Sequence, residues 1–335
     1  MQAAQPVHGR YYTSTVRESE VLKSILGRSP SDDPRVLIGP GDDLACVRVS
    51  PPESPEVGPP LLVGADQVID GLHVRADLIP WDLIGRKAVC RALSDVAAMA
   101  GRPVATIATA LLPADAEAHA VEKLCTGLFE AAALVHAPLV GGDVAIHRTD
   151  SGPLSISGTV LATPSEQQSG GQSVRRDGAR VGDRLVVTGP LGGAVGADGF
   201  GHHLTFTPRL SEAVMLRAIL GVDLHAMIDL SDGLGRDAGR IAAASGVHMM
   251  LDAMQVPCRT GVSWEQAVGD GEDYELLLAV GPEANLPEAL GGSAESCHLH
   301  VIGEVVEASA DTPLVGVRTL DGEVRDVSAM GWDHG

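Results

Sequence analysis

Short apolar runs that end in glycine and aspartate recur along this chain, between longer segments with a helical rhythm. Over 81–100 the residues Trp81, Ile84, Ala88, Ala92 and Val96 fall at helical spacing and stop at Gly101–Pro103, which predicts a helix. Further helices are expected over 18–26, 114–135, 211–220 and 234–245. Strands are expected over 104–112, 154–162, 184–188, 225–228, 247–251, 275–280 and 298–302. The proline- and serine-rich segment 50–60 reads as a hairpin-like loop, and the polar stretch 164–173 as a linker. Strands and helices interleave without a regular βαβ rhythm and without G-x-G-x-x-G. The expected class is therefore α+β (mixed α/β) rather than a Rossmann fold. A length of 335 residues suits two domains: a loose arm over 1–16, a first domain over 17–163 and a second over 174–335.

The apolar runs share their endings. Val36-Leu37-Ile38 leads to Gly39-Pro40-Gly41-Asp42-Asp43, and Leu61-Leu62-Val63 to Gly64-Ala65-Asp66. Pro138-Leu139-Val140 leads to Gly141-Gly142-Asp143, and Ala226-Met227-Ile228 to Asp229-Leu230-Ser231-Asp232-Gly233. Each reads as a short strand that stops at aspartate, and Leu93-Ser94-Asp95 adds a further carboxylate. Aspartate supplies hard oxygen ligands on a short stem, and glycine beside it lets a bulky anion come close. Asp and Gly also make ordinary turns, and Ser94-Asp95 and Ser231-Asp232 would serve equally as helix caps. Together these carboxylates exceed the one or two that magnesium takes at a nucleotide site. If they converge, they imply several ions bridging a polyphosphate.

Charge and cysteine usage narrow the classes. Acidic side chains number 44 against 24 basic, a formal net charge of −20 that repels nucleic acid and anionic membrane. Lys23, Lys87 and Lys123 are the only lysines and none lies in a G-x-x-x-x-G-K-[ST] loop, which excludes a P-loop. Cys46, Cys90, Cys125, Cys258 and Cys297 are scattered without a C-x-x-C pair, against a disulfide framework or zinc site and for a reducing cytosol. The N-terminus lacks an apolar h-region, and 104–113, the longest apolar stretch, is too short to span a bilayer. A cytoplasmic protein is expected.

Several strings carry a family resemblance. Gly41-Asp42-Asp43, Asp66 with Gly71-Leu72-His73, and Lys87-Ala88-Val89 leading to Leu93-Ser94-Asp95-Val96-Ala97-Ala98-Met99 resemble thiamine-monophosphate kinase. So do Gly141-Gly142-Asp143, Asp229-Leu230-Ser231-Asp232-Gly233-Leu234 and Gly271-Glu272-Asp273-Tyr274-Glu275-Leu276, in the family's order over 18–334. The wider superfamily includes aminoimidazole-ribonucleotide synthetase, selenophosphate synthetase and a hydrogenase-maturation dehydratase. The chain has neither the reactive N-terminal cysteine nor the C-terminal cysteine tail that would favour the last two.

The resemblance implies an N-terminal sheet domain that pairs with its twin in a homodimer and a C-terminal α/β domain that closes over the nucleotide. It implies ATP, magnesium and thiamine monophosphate as ligands. Asp42, Asp43, Asp66, Asp95, Asp143, Asp229 and Asp232 would be metal ligands; Gly142, Asp143, Arg176 and Ser231 would touch ATP. His73, Glu272 and Trp332 would face the thiamine phosphate. Direct in-line transfer needs no catalytic side chain, because the second pKa of the attacking phosphate is about 6. The chain departs from the family at Gly64-Ala65, where Ser-Thr is usual, and in a shortened 190–208 segment. There the family's helix gives way to a Gly/His loop over 196–203, whose His202-His203 pair is expected to be solvent-exposed. These departures leave open a different acceptor on the same fold, or a nucleotide-binding protein without turnover.

Overall fold

The computed structural model describes residues 33–49, 58–148, 152–165, 173–287, 289–290 and 297–333. The arm over 1–16, the helix over 18–26 and most of the 50–60 and 164–173 segments lie outside these residues. The first sheet contains β1 (Val36–Ile38), β2 (Ala45–Arg48), β3 (Pro60–Ile69), β4 (Gly101–Leu112), β5 (Leu139–Ile146) and β6 (Ser155–Pro164), in the order β1-β2-β3-β6-β4-β5. Helix α1 (Trp81–Ala98) packs on it, and α2 (Ala118–Leu134) packs on α1.

The second sheet follows the order β15-β14-β9-β13-β7-β10-β8. Its strands are β7 (Arg184–Val187), β8 (Leu224–Asp229), β9 (His248–Asp252), β10 (Leu276–Val280), β13 (His300–Val306), β14 (Val315–Arg318) and β15 (Val324–Asp326). A separate ribbon pairs β11 (Ala289–Leu290) with β12 (Cys297–His298). The chain also forms the single-turn α3 (His202–Thr205), α4 (Leu210–Leu220), α5 (Leu234–Ser245) and α6 (Trp264–Gly269).

Alternation along β7 divides the second domain's core. Leu185 and Val187 pack with Leu234, Ala238 and Ile241 of α5, whereas Val186 packs with Ala213 and Leu216 of α4. Ala97 and Ala100 join this latter cluster, while Ala88, Ala92 and Val96 pack with Leu62, Ile156 and Val160 of the first sheet. Helix α1 is thus buried between the two sheets, which explains its run of alanines: small side chains let both layers approach. Gly158 serves the same end, because a Cβ there would sit 2.5 Å from the carbonyl oxygen of Ala88.

Two expectations about strand ends are corrected. Asp66 and Asp143 do not end their strands; they lie within β3 and β5. Gly64, Gly141 and Gly142 continue the ladders because their neighbours on β4 and β6 supply the backbone partners. Asp229 does end β8, and Asp42-Asp43 do follow β1. The capping alternative also fails: Ser94 and Asp95 lie inside α1, and α5 begins after Gly233 with no side-chain cap.

Candidate active site

Three carboxylates from three elements meet between the sheets. Oxygens of Asp43 after β1, Asp95 on α1 and Asp229 at the end of β8 all lie within 4.8 Å of one another. Ser94 donates to Asp229 at 2.6 Å, and Arg176 donates to Asp43 at 2.5 Å. Arg176 also lies 3.6 Å from Asp42. The second oxygen of Asp43 is buried without a hydrogen-bond partner. Burial and mutual repulsion raise all three carboxyl pKa values, that of Asp43 to about 7 and that of Asp229 to about 6. An orphaned oxygen among hard oxygen donors suits magnesium, whose charge would reverse this repulsion.

The cluster opens into a groove. Asp95, Asp66, His73, Arg91, Ser231 and Asp232 line a cavity of about 500 Å³. This cavity follows β3 from Ala65 onward, where β2 has already stopped pairing at Val63. Asp66 is held by Arg91 at 2.7 and 3.1 Å. Asp232 pairs with Arg240, which also bonds the fully buried Asp237 at 2.5 Å. Among the predicted metal ligands outside the central three, Asp42, Asp66 and Asp232 thus lie beside arginine.

Asp143 stands apart. The register runs from Gln67 through Ser157 and Thr109 to Asp143. Three steps between strands place it about 14 Å from β3. A second cavity of about 280 Å³, lined by Gln67, Ser157, Thr109 and Asp143, shares Gln67 and Ser157 with the first. Asp143 is therefore on the same groove but not in the same cluster. An apolar cleft of about 320 Å³ between α2 and β4–β5 also reaches Gly142 and Asp143.

The 271–275 loop lies behind Ser231, outside the lining of the groove. Its backbone is pinned to the segment after β8: Tyr274 donates to Leu230 and Glu272 donates to Ser231, each at 2.8 Å. Glu272 and Tyr274 are left-handed, at φ 60° and 53°, a costly backbone for residues with a Cβ that recurs at functional sites. Burial raises the Glu272 carboxyl pKa, but the charges of Lys87 and Arg91 overcome this and hold it well below the usual range. Burial lowers Lys87 to about 8, with Glu272 opposing. Trp332 is 46% exposed, and its backbone donates to Asp232 at 2.8 Å.

Comparison with known proteins then decides the family. Residues 41–163 match the AIR synthase related protein N-terminal domain, and 180–315 match the C-terminal domain. Thiamine-monophosphate kinase of Rhodopirellula baltica is 35% identical over 279 residues, covering 79% of this chain and 83% of that protein. The Escherichia coli K12 protein of the same name is 32% identical, covering 95% and 98%. The chain belongs to the thiamine-monophosphate kinase group of the AIR synthase related family. The solved structure "AaThiL complexed with AMPPCP and TMP" superposes with a TM-score of 0.75 at 25% identity, covering 97% of this chain and all of that one. Hydrogenase maturation protein HypE shares the fold, at a TM-score of 0.66 and 19% identity.

Against this family background the departures have structural reasons. A Cβ at Gly64 would lie 2.2 Å from the tip of the Leu44 side chain, so the family's usual serine would require that leucine to shift. The exposure expected for the histidine pair is corrected: His203 is 1% exposed and bonded to Lys87, and His202 lies 3.2 Å from the carbonyl oxygen of Asp273. Burial lowers the His202 pKa to about 4, so it stays neutral. Lys87 and Arg91 were not among the expected site residues. The signal was present: Lys87, Arg91 and Asp95 recur every four residues along α1, a charged stripe down one face of the helix.

Proposed function

We propose that this chain transfers the γ-phosphoryl group of ATP directly to thiamine monophosphate, giving thiamine diphosphate and ADP, in a magnesium-dependent reaction. The observation that carries the reading is the Asp43–Asp95–Asp229 cluster, drawn from both halves of the chain and left with an orphaned oxygen. Two anions must approach in line, so the demand is for charge neutralisation and positioning rather than a nucleophile. Asp43, Asp95 and Asp229 would hold the central magnesium; Asp66 and Asp232 line its approach, Asp42 adjoins Asp43, and Asp143 would hold a further ion along the groove. Bound magnesium would neutralise phosphate oxygens and align donor with acceptor.

Arg176 and Ser231 would contact ATP phosphates. Gly142 and Asp143 would contact the nucleotide, with the adjoining apolar cleft as the adenine slot. Glu272 suits the cationic thiazolium of thiamine, with His73 and Trp332 beside it. Residues 17–163 act as the nucleotide and dimerisation domain, and 174–335 as the closing domain. Edge strand β5 supports a homodimer, since Val140, Val144 and Ile146 are each more than 60% exposed there. No described helix is long and apolar enough to cross a membrane, and all five cysteines are unpaired, which supports a cytoplasmic site.

The test is an assay of the purified protein with ATP, magnesium and thiamine monophosphate, with product separated by chromatography. Thiamine diphosphate formed in step with ADP supports the proposal. ATP turnover only with another acceptor, or binding without turnover, refutes it.

A further inference from the structure

We propose that Lys87 is a positioning residue of the acceptor site, tying the Glu272 carboxylate to the backbone of His73, with His203 locking it in place. This rests on the acceptor roles assigned above to His73 and Glu272. The Lys87 side chain is fully buried in the middle of α1. Its Nζ donates to the His73 carbonyl at 2.9 Å, to Nδ1 of His203 at 2.8 Å, and to Oε2 of Glu272. An ammonium carries three hydrogens, and these acceptors engage all of them.

The acceptors come from separate segments: the turn after β3, the single-turn helix α3, and the loop before β10. Lys87 therefore fixes the distance between the two groups assigned to the acceptor, one from each half of the chain. Nε2 of His203 lies 2.9 Å from the Gly199 carbonyl, so it is the protonated nitrogen, and Nδ1 is left as a bare acceptor. His203 thus holds the ammonium without adding a competing charge. Arg91 reaches the other Glu272 oxygen at 3.4 Å, so both oxygens are restrained. The aspartate cluster takes none of the three Lys87 bonds, so loss of Lys87 loosens the acceptor side selectively. The shortened Gly/His loop acquires a purpose by this route: it delivers a buried imidazole to the lysine.

Steady-state kinetics of Lys87→Met, His203→Leu and His203→Gln, with each substrate varied in turn, test this. Lys87→Met should raise KM for thiamine monophosphate about tenfold or more, while KM for MgATP stays within about twofold. His203→Leu should raise the same KM by a smaller factor. His203→Gln, whose amide oxygen replaces the bare nitrogen, should recover most of that loss. Equal effects on both substrates would mark a merely structural role and overturn the proposal. So would an unchanged KM for thiamine monophosphate in Lys87→Met. Should that variant fail to fold, the His203 pair decides, and identical kinetics for leucine and glutamine overturn the assignment. Turnover of thiamine monophosphate by the parent protein, measured beside the variants, tests the acceptor roles separately.

Discussion

Replacing Asp95 by asparagine should stabilise the metal-free protein while removing its chemistry. Asparagine keeps the size of the side chain and is no worse within a helix, so the change isolates charge. Two ionised carboxylates 4.8 Å apart repel by about 3 kcal/mol at an effective dielectric near 20. The native cluster relieves part of this by retaining protons, as the raised pKa values of Asp43, Asp95 itself and Asp229 show. A gain of about 2 kcal/mol at pH 7.5 in EDTA is therefore expected, equivalent to a rise in Tm of about 4–8 °C. Magnesium should raise the Tm of the parent and have much less effect on the variant. Activity should fall by about a thousandfold, as when a charge-stabilising group is lost. Differential scanning calorimetry with EDTA or magnesium chloride measures both arms. A variant that melts at or below the parent temperature in EDTA, and still responds fully to magnesium, would refute the reasoning.

The same cluster fixes a pH dependence. Asp43 and Asp229 keep their protons in the folded state up to about 7 and 6, against 3.8 for an ordinary aspartate. The folded protein thus binds more protons, and this stability is present below pH 4 and lost as pH rises through 6–7. Between pH 5 and 7.5 the Tm in EDTA should fall relative to that of Asp95→Asn, and saturating magnesium should cancel the difference; a relative rise contradicts the assignment. Gly158→Ala should destabilise by about 1–3 kcal/mol in urea unfolding, because its Cβ meets the Ala88 backbone, and an unchanged midpoint would show that α1 can move. Arg176→Met should raise KM for ATP about tenfold or more and leave KM for thiamine monophosphate nearly unchanged; equal effects would remove Arg176 from the nucleotide side.

Much of this arrangement was legible from spacing. The 3.6-residue period of α1 and the apolar runs of β8 and β10 are local signals, and local signals survive into the fold. What failed was the reading of Gly-Asp as a strand end. At Asp66 and Asp143 neighbouring strands supply backbone partners, so tertiary pairing overrides turn propensity. Convergence was also beyond reach: Asp43, Asp95 and Asp229 are far apart in sequence, and only the burial of α1 between two sheets joins them. The histidine pair misled for a related reason. A glycine-rich loop suggests solvent, but here it passes over the buried end of Lys87, and a charge inside a protein requires partners. The arginines that pair with Asp66 and Asp232 carry no local pattern beyond helical spacing.

The central claim is that acidic side chains of both halves hold the cation between the two phosphates. Anomalous diffraction from crystals grown with manganese, a non-hydrolysable ATP analogue and thiamine monophosphate tests it most directly. The account predicts a manganese peak within coordination distance of Asp43, Asp95 and Asp229, with phosphate oxygens completing the shell. Manganese and nucleotide bound elsewhere, with these three carboxylates unligated, would contradict it.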